Sequence, residues 1–465
     1  MAEFFDLYKI HSKENIICPY CSHSFTYGGL IVLNYSDDLN RLKVKCCSCD
    51  DIFEFNLPDL EKPLIFLDQW FVSDMFRLNF SNHEKFERIL NKIEKLKFIQ
   101  RLVVASSDID AIETSQIPSA HIEKSKDIWS KVIDLSESHI LFVIDLLRDQ
   151  IESSLGIKPR TQFIIDKYKK NWIIGIGKHR MRLLMTKTWL VEMEKNTENL
   201  SNDDKFLEIL DQLSQRLELQ QHKNFESALW VVKDLCKKEI IDAIKIVSLE
   251  LLKNSIEVSD TGFKIYMEIT KEISKLNSGY VNLIREVIIN THSSSIEHSR
   301  NLLNRLSLLI EIDVHDISEY FEIENYLWAE RLLHYYENQY KKERTTTSKN
   351  NTRARYGFSR MNDIKRVAAA LPYASILLVD KDMERILSGT YLCKIRKKYS
   401  QCKIFSSASL DGLETWLDEI MQSQEASDEL RIIRRLLCGL SPVEEEQENE
   451  KMVQEIIDKF LAGKV

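Results

Sequence analysis

The chain has 465 residues, of which 44% are hydrophobic and 29% charged, with only 12 glycines and 7 prolines. One hydrophobic core rarely serves so long a chain, so we expect several structural units, and the scarcity of helix breakers favours a mostly helical, well-folded protein. The net charge of -8 neither requires nor excludes a nucleic-acid partner. The first residues do not read as a secretory signal, and no apolar run reaches about 18 residues. We therefore expect a cytoplasmic protein without membrane contact.

Two C-x-x-C pairs stand near the start of the chain, separated by strand-like sequence. The four cysteines are Cys18, Cys21, Cys46 and Cys49. In a reducing compartment such pairs are typical of metal ligands, and four thiolates complete a tetrahedral zinc site that stabilises a small fold by roughly 10 to 16 kcal/mol. We predict a structural zinc ribbon over residues 1–60. Two alternatives are a redox pair and a ligand set in which Cys47 or His23 replaces one cysteine.

Acidic residues follow the apolar, strand-like segments of the remaining chain. Asp68 ends "LIFLD", Glu113 follows "LVVASSDIDAI", and "SILLVDKD" ends with Asp380 and Asp382. Asp363 is predicted to begin the helix before that last strand. Strands that alternate with helices predict a parallel sheet, whose carboxyl ends meet at one edge. We therefore predict a crevice of carboxylates, the oxygen ligands that suit Mg2+ or Mn2+.

Each of these acids could instead cap a helix or lie in a turn, because short acidic side chains bind nearby backbone N–H groups. Asp108 and Asp110 compete with Glu113 for the place after the second strand. Asp74 could supply a polar group near Asp68. These alternatives remain open from the sequence.

The order and spacing of the acids resemble those of PIN-like metal-dependent nucleases, over residues 62–118 and 361–420. The matching stretches are "IFLD", "SSDIDAIET" and "NDIKRVAAALPYASILLVDKDM". The resemblance implies a three-layer α/β/α fold around a parallel sheet and phosphodiester hydrolysis with Mg2+ or Mn2+, most often of RNA. It assigns the metal ligands Asp68, Glu113, Asp363 and Asp380, with Asp382 assisting. Many members carry Asn or Ser two residues after the first acid, where this chain has Trp70.

The resemblance divides the chain into units around the sheet. Residues 61–120 and 361–425 are expected to be the two halves of the PIN-like domain, 121–342 a large all-helical insertion, 343–360 a basic flexible loop, and 426–465 a C-terminal helical tail. The insertion is expected to gate the crevice, hold a protein partner or form a homodimer.

Basic residues flank the predicted crevice on both sides in sequence. The candidates for binding nucleic acid are Lys349, Arg353, Arg355, Arg360, Lys394 and Arg396. Such residues neutralise phosphates, and neighbouring aromatic rings can stack on bases. We expect an endoribonuclease acting on single-stranded RNA, by analogy in host defence or a toxin-like role. The alternatives are a catalytically degenerate PIN-like adaptor and a structure-specific DNA nuclease.

Overall fold

The computed structural model describes residues 4–5, 16–25, 30–36, 41–56, 60–75, 83–98, 101–110, 122–136, 139–141, 143–155, 202–255, 304–308, 310, 313–340 and 358–422. Glu113, Lys349, Arg353, Arg355 and the predicted tail, 426–465, lie outside these residues.

Short strands form the N-terminal unit. They are β1 (Phe4–Phe5), β2 (Ile16–Ile17), β3 (Ser24–Phe25), β4 (Leu30–Ser36), β5 (Arg41–Cys46) and β6 (Ile52–Asn56). One sheet has the order β1-β6-β5-β4, antiparallel except for the parallel pair of β1 and β6, and β2 pairs with β3 in a separate hairpin. Two hairpins therefore carry the cysteine pairs, one between β2 and β3 and one between β5 and β6.

A five-stranded parallel sheet forms the second unit. Its strands are β7 (Leu64–Phe66), β8 (Val103–Ser107), β9 (Ile140–Leu141), β10 (Ile376–Leu378) and β11 (Lys403–Phe405). They lie in the order β11-β10-β7-β8-β9. The order reverses between β7 and β10, which become neighbours although they are far apart in sequence. In open parallel sheets such a switch point forms a crevice beyond the carboxyl ends of the strands.

Helices connect and cover these strands. They are α1 (Gln69–Met75), α2 (His83–Phe98), α3 (Ile122–Ser136), α4 (Val143–Ser154), α5 (Asn202–Glu218), α6 (Phe225–Ser255), α7 (Glu319–Tyr335), α8 (Phe358–Ala370), α9 (Lys381–Leu387), α10 (Cys393–Lys398) and α11 (Leu410–Gln422). None of the helices in the described ranges is both long and apolar enough to cross a membrane.

Both faces of the parallel sheet are buried. Successive residues of a strand point to opposite faces, so alternate residues of β7 enter two different cores. Leu64 and Phe66 on β7 join a core formed with α4 to α10, whereas Ile65 and Leu67 join a second core formed with α1, α2, α3 and α11. The protein is therefore mixed α/β, with helices on each face of a central parallel sheet. Helix α7 is buried on nearly all sides, as expected for a helix in the middle of a core.

The structure differs from the sequence predictions at three boundaries between segments. Helix α3 and strand β9 lie in the range predicted as the all-helical insertion, 121–342, yet α3 packs on the sheet and β9 is its edge strand. The range predicted as a flexible loop, 343–360, ends in helix, because α8 already begins at Phe358 and includes Arg360. The prediction that Asp363 begins that helix is wrong, since five helical residues precede it. Apolar periodicity sets these limits poorly because helices and buried strands are both rich in apolar residues.

Candidate functional site

The four cysteines of the two C-x-x-C pairs meet in space. Cys18 Sγ lies 3.7 Å from Cys49 Sγ, Cys21 Sγ lies 3.8 Å from Cys46 Sγ, and all four sulfurs are within 4.8 Å of one another. Sulfurs bound tetrahedrally at about 2.3 Å from a zinc ion stand about 3.8 Å apart, so the spacing suits one such ion. The exposed thiol of Cys47 is not a member of this group.

Each cysteine pair lies in a tight turn with the same backbone pattern. Ser22 N donates to Cys18 O at 2.9 Å, and Asp50 N donates to Cys46 O at 3.0 Å. Ser22 and Asp50 both have left-handed backbone angles, with φ of 59° and 64°, and Ser and Asp are small polar residues with local hydrogen-bonding options. The N–H of Ser48 also points at Cys46 Sγ, 3.3 Å away. The two turns are therefore built alike, each presenting its sulfurs to a shared centre.

The surroundings of these sulfurs act on their ionisation in opposite directions. Burial raises the pKa of Cys18. Burial also acts to raise the pKa of Cys46, but hydrogen bonds from the backbone N–H groups of Cys49 and Ser48 lower that pKa to about 7. Neighbouring thiolates repel one another, and a bound cation offsets that repulsion. The group could thus hold a metal ion in a purely structural role, with no coordination position left open.

A second polar centre lies at the carboxyl ends of the parallel strands, where three aspartates surround one arginine. Arg366 Nη1 is 2.9 Å from Asp68 Oδ2 and 3.2 Å from Asp363 Oδ1, and Arg366 Nη2 is 3.2 Å from Asp110 Oδ1. The arginine side chain is 1% exposed. Charges this deeply buried persist only when they are paired and hydrogen-bonded. We call these four residues the Arg366 cluster.

Asp68 is oriented from the backbone. It follows β7, and its Oδ1 accepts the N–H of Trp70 at 3.1 Å, in the first turn of α1. The Trp70 side chain packs edge-on against Phe71 and Phe86, with ring centroids 5.7 and 6.1 Å apart. The polar side chain that many PIN-like proteins carry at the position of Trp70 is therefore not needed to orient this carboxylate.

Asp110 is held by the serines that end β8. Its Oδ2 accepts hydrogen bonds from Ser106 Oγ at 2.7 Å, from Ser107 Oγ at 2.9 Å and from Ser107 N at 2.9 Å. Both serines are completely buried. The neighbouring Asp108 accepts the N–H of Val143, the first residue of α4, and burial raises its pKa to about 6. Of the two residues that compete with Glu113, Asp110 is therefore the one that joins the cluster.

Asp363 and Arg366 are one helical turn apart on α8, a spacing that lets the two side chains meet on one face. Apart from the polar Asn362, the other buried residues of α8 are apolar, among them Ile364 and Val367. The helix thus presents Asp363 and Arg366 at the strand ends while its apolar side packs on the sheet and α7.

The two acids after β10 make other contacts. Asp380 caps α9, with its Oδ1 accepting the N–H of Met383 at 2.6 Å, which confirms the capping interpretation. Asp382 Oδ2 lies 2.6 Å from Arg331 Nη1 on α7, and its Oδ1 lies 2.9 Å from Arg385 Nη2. A residue of the helical insertion therefore neutralises an acid that the resemblance assigns to the metal.

As they stand, these carboxylates do not form a ready-made ion cage. Among the residues that the structure describes, the four cysteines are the one group of three or more potential ligands whose atoms all lie within 4.8 Å of each other. Asp68, Asp110 and Asp363 supply the hard oxygen donors that Mg2+ or Mn2+ requires, and they converge on one cation. In this arrangement that cation is the guanidinium of Arg366.

Neither Arg366 nor Arg331 was predicted from the sequence as a site residue. Arg366 stands three residues after Asp363, a helical spacing that signals an ion pair, but the motif drew attention only to the acids. Arg331 offered no such signal, because its partner Asp382 lies on a different helix. Of the predicted basic residues, Lys394 and Arg396 lie exposed on α10.

Comparison of the chain with family models, with curated proteins and with solved structures finds no match. The resemblance to PIN-like nucleases therefore depends on the motif alone.

Proposed function

We propose that the protein is a PIN-like metal-dependent nuclease that hydrolyses phosphodiester bonds, most readily as an endoribonuclease on single-stranded RNA. The observation that carries the proposal is the meeting of Asp68 and Asp363, from the two predicted halves of the domain, on the same nitrogen of Arg366. These two acids are far apart in sequence, yet they converge on the guanidinium of Arg366 at the switch point of a parallel sheet.

The residues at this edge have separable roles in the proposed reaction. Asp68, Glu113, Asp363 and Asp380 would hold Mg2+ or Mn2+, with Asp382 assisting. When bound, the ion supplies an ionised water for in-line attack and offsets charge on the leaving oxygen. The N–H of Trp70 fixes Asp68 in one orientation. Arg366 offsets part of the charge of the buried acids, since like charges at close range repel one another.

Cleavage of a labelled single-stranded RNA in Mn2+ tests this function. An Asp68→Asn, Asp380→Asn double variant is expected to lose at least about a hundredfold in rate, in line with the loss of transition-state charge stabilisation. The exposed Asp411→Asn is the matched control and should cleave like the parent. Equal cleavage by the double variant and the parent would show the assignment to be wrong. Parallel reactions with single-stranded DNA and a DNA flap decide between RNA and DNA as substrate.

A second function, a nucleic-acid-binding adaptor that does not cut, is favoured by the same guanidinium. Arg366 contacts three acids and Arg331 contacts Asp382, so each of these carboxylates already has a cationic partner without a metal. Titration with Mn2+, followed by electron paramagnetic resonance, separates the two functions. A nuclease should bind Mn2+ at a site that Asp68→Asn abolishes, whereas an adaptor should bind equally little in both forms.

For the cysteine group we propose zinc with a structural role. A closed set of four thiolates offers no position for substrate, and it gives a small β unit cohesion that its few apolar residues do not supply. The metal content of the purified protein, measured by mass spectrometry, should be one zinc ion per chain.

A further inference from the structure

An exposed aromatic ring lies beside three exposed cations on the second half of the α/β unit. Tyr391, in the 3-10 turn Thr390–Leu392, is 50% exposed. Its ring stacks on Phe225 at the start of α6, with centroids 4.8 Å apart and an interplanar angle of 4°. Phe225 is buried and also packs against Tyr326 at 5.8 Å. The tyrosine ring is thus supported on one side and faces solvent on the other.

The cations follow directly in sequence. Lys394, Arg396 and Lys397 all lie exposed on α10, and Lys394 Nζ is 5.9 Å from the centre of the Tyr326 ring. Within the described ranges, no ion pair of Arg396 or Lys397 with an acid is present. The next lysine differs, because Lys398 is paired with Glu322. Arg396 and Lys397 therefore remain available to an anion next to an open ring, and the exposed Lys394, held beside Tyr326, adds a third positive charge.

We propose that the surface formed by Tyr391, Lys394, Arg396 and Lys397, here called the Tyr391 platform, binds single-stranded nucleic acid. A supported, open aromatic face stacks on an unpaired base, and neighbouring Lys and Arg side chains neutralise the phosphates on either side. A duplex offers phosphates but keeps its bases stacked on each other, so it could contact the cations but could not stack a base on the tyrosine ring. A protein partner is a poorer fit, since lysine is depleted at protein interfaces.

The platform joins two parts of the chain. Phe225 and Tyr326 belong to the helical insertion, whereas Tyr391 and Lys394 belong to the segment between β10 and β11. The insertion therefore supports the ring that contacts the base. The identity of the bound strand as substrate rests on the proposed nuclease function, but binding is measurable without cleavage.

Fluorescence anisotropy of a labelled, mixed-sequence RNA of about 15 nucleotides, without added divalent ion, tests the platform. For the full chain, Tyr391→Ala is expected to weaken binding about tenfold, the usual effect of losing one stacked base. Tyr391→Phe should bind like the parent, because it keeps the ring. Trp230→Ala, which removes an exposed aromatic ring outside the platform, is the matched control and should have no effect.

The salt dependence of binding tests the cations. Lys394→Ala and Arg396→Ala should each lower the slope of log affinity against log salt by about 0.7, the value for one phosphate contact on a single strand. The exposed Lys245→Ala is the matched control and should leave the slope unchanged. Heparin, which has charge but no bases, should bind Tyr391→Ala as well as it binds the parent.

The results separate the platform from the nuclease. The proposed binding site would be wrong, whatever the cleavage result, if Tyr391→Ala bound RNA like the parent. It would also be wrong if a duplex or an acidic peptide bound more tightly than the single strand. Tyr391-dependent binding by a chain that never cleaves would support the platform and count against the nuclease. Single-stranded DNA and RNA of the same sequence show whether the sugar matters.

Discussion

Asp68 and Arg366 are joined by a buried ion pair of 2.9 Å between the end of β7 and the middle of α8. The pair connects the two halves of the parallel-sheet unit, which the helical insertion separates in sequence. Asp110 adds a contact from β8 to the same guanidinium. The cluster thus ties two neighbouring strand ends to one helix, in the part of the fold where the proposed chemistry takes place.

Removing the arginine should destabilise the protein strongly. Arg366→Met leaves three buried carboxylates without their common partner, and loss of one member of a buried ion pair typically costs about 3 to 5 kcal/mol. Urea unfolding at neutral pH measures this loss. The exposed Arg385→Met, which also removes an aspartate partner, is the control and should cost less than about 1 kcal/mol. A similarly small cost for Arg366→Met would contradict the role of the cluster.

Introducing at position 70 the polar residue typical of PIN-like proteins should not increase the proposed nuclease activity. Asp68 Oδ1 already accepts the N–H of Trp70, so Trp70→Asn provides no new orienting bond. If the protein is the proposed nuclease, we expect RNA cleavage in Mn2+ to stay within about threefold of the parent or to fall as packing is lost. Trp70→Phe, which keeps an aromatic side chain, serves as the control. A tenfold gain for Trp70→Asn would show that the backbone contact does not orient the acid.

Substitution of any one of the four cysteines should impair metal binding by the whole group. If the group holds zinc as proposed, Cys18→Ser removes a buried ligand and is expected to release the metal and unfold the N-terminal β unit, because structural zinc supplies much of the folding free energy of small domains. Metal analysis and limited proteolysis measure both effects. Cys47→Ser changes the exposed neighbouring thiol and should leave metal content and protease resistance unchanged. A Cys18→Ser protein that retained its ion would disprove the four-cysteine site.

Stability should fall as pH rises towards neutrality because of Glu239 on α6. Burial, together with the charge of Glu324, raises the pKa of Glu239 from 4.5 to about 7. The folded state therefore holds this proton more tightly than the unfolded state does. The resulting cost is absent below about pH 4.5, grows as the pH rises, and is complete above about pH 7.

Glu239→Gln removes this titration, so it should raise the free energy of unfolding at pH 8 by about 3 kcal/mol while changing it little at pH 4.5. Urea unfolding across this pH range provides the measurement. Glu226→Gln, at an exposed position on the same helix, is the control. Parallel pH profiles for Glu239→Gln and the parent would rule out the titration of this residue.

Local signals predicted much of the architecture. The two C-x-x-C pairs indicated a ligand group that the structure assembles, and the apolar segments around Asp68 and Asp380 indicated parallel strands that pair as neighbours. Those signals depend on short spacing and on side-chain alternation, which operate within a few residues. The division of the chain was less accurate, because α3 and β9 carry apolar patterns that do not reveal which surface they cover.

From the residue order alone, one could state which side chains lie at strand ends and which cysteines come together, because backbone geometry sets these relations over short distances. The folded arrangement was needed to learn that Asp110 joins Asp68, that Asp382 faces Arg331, and that Arg366 is the common partner of the buried acids. These ion-pair partners depend on how elements remote in sequence pack together. A buried charge is stable only beside a charge of opposite sign.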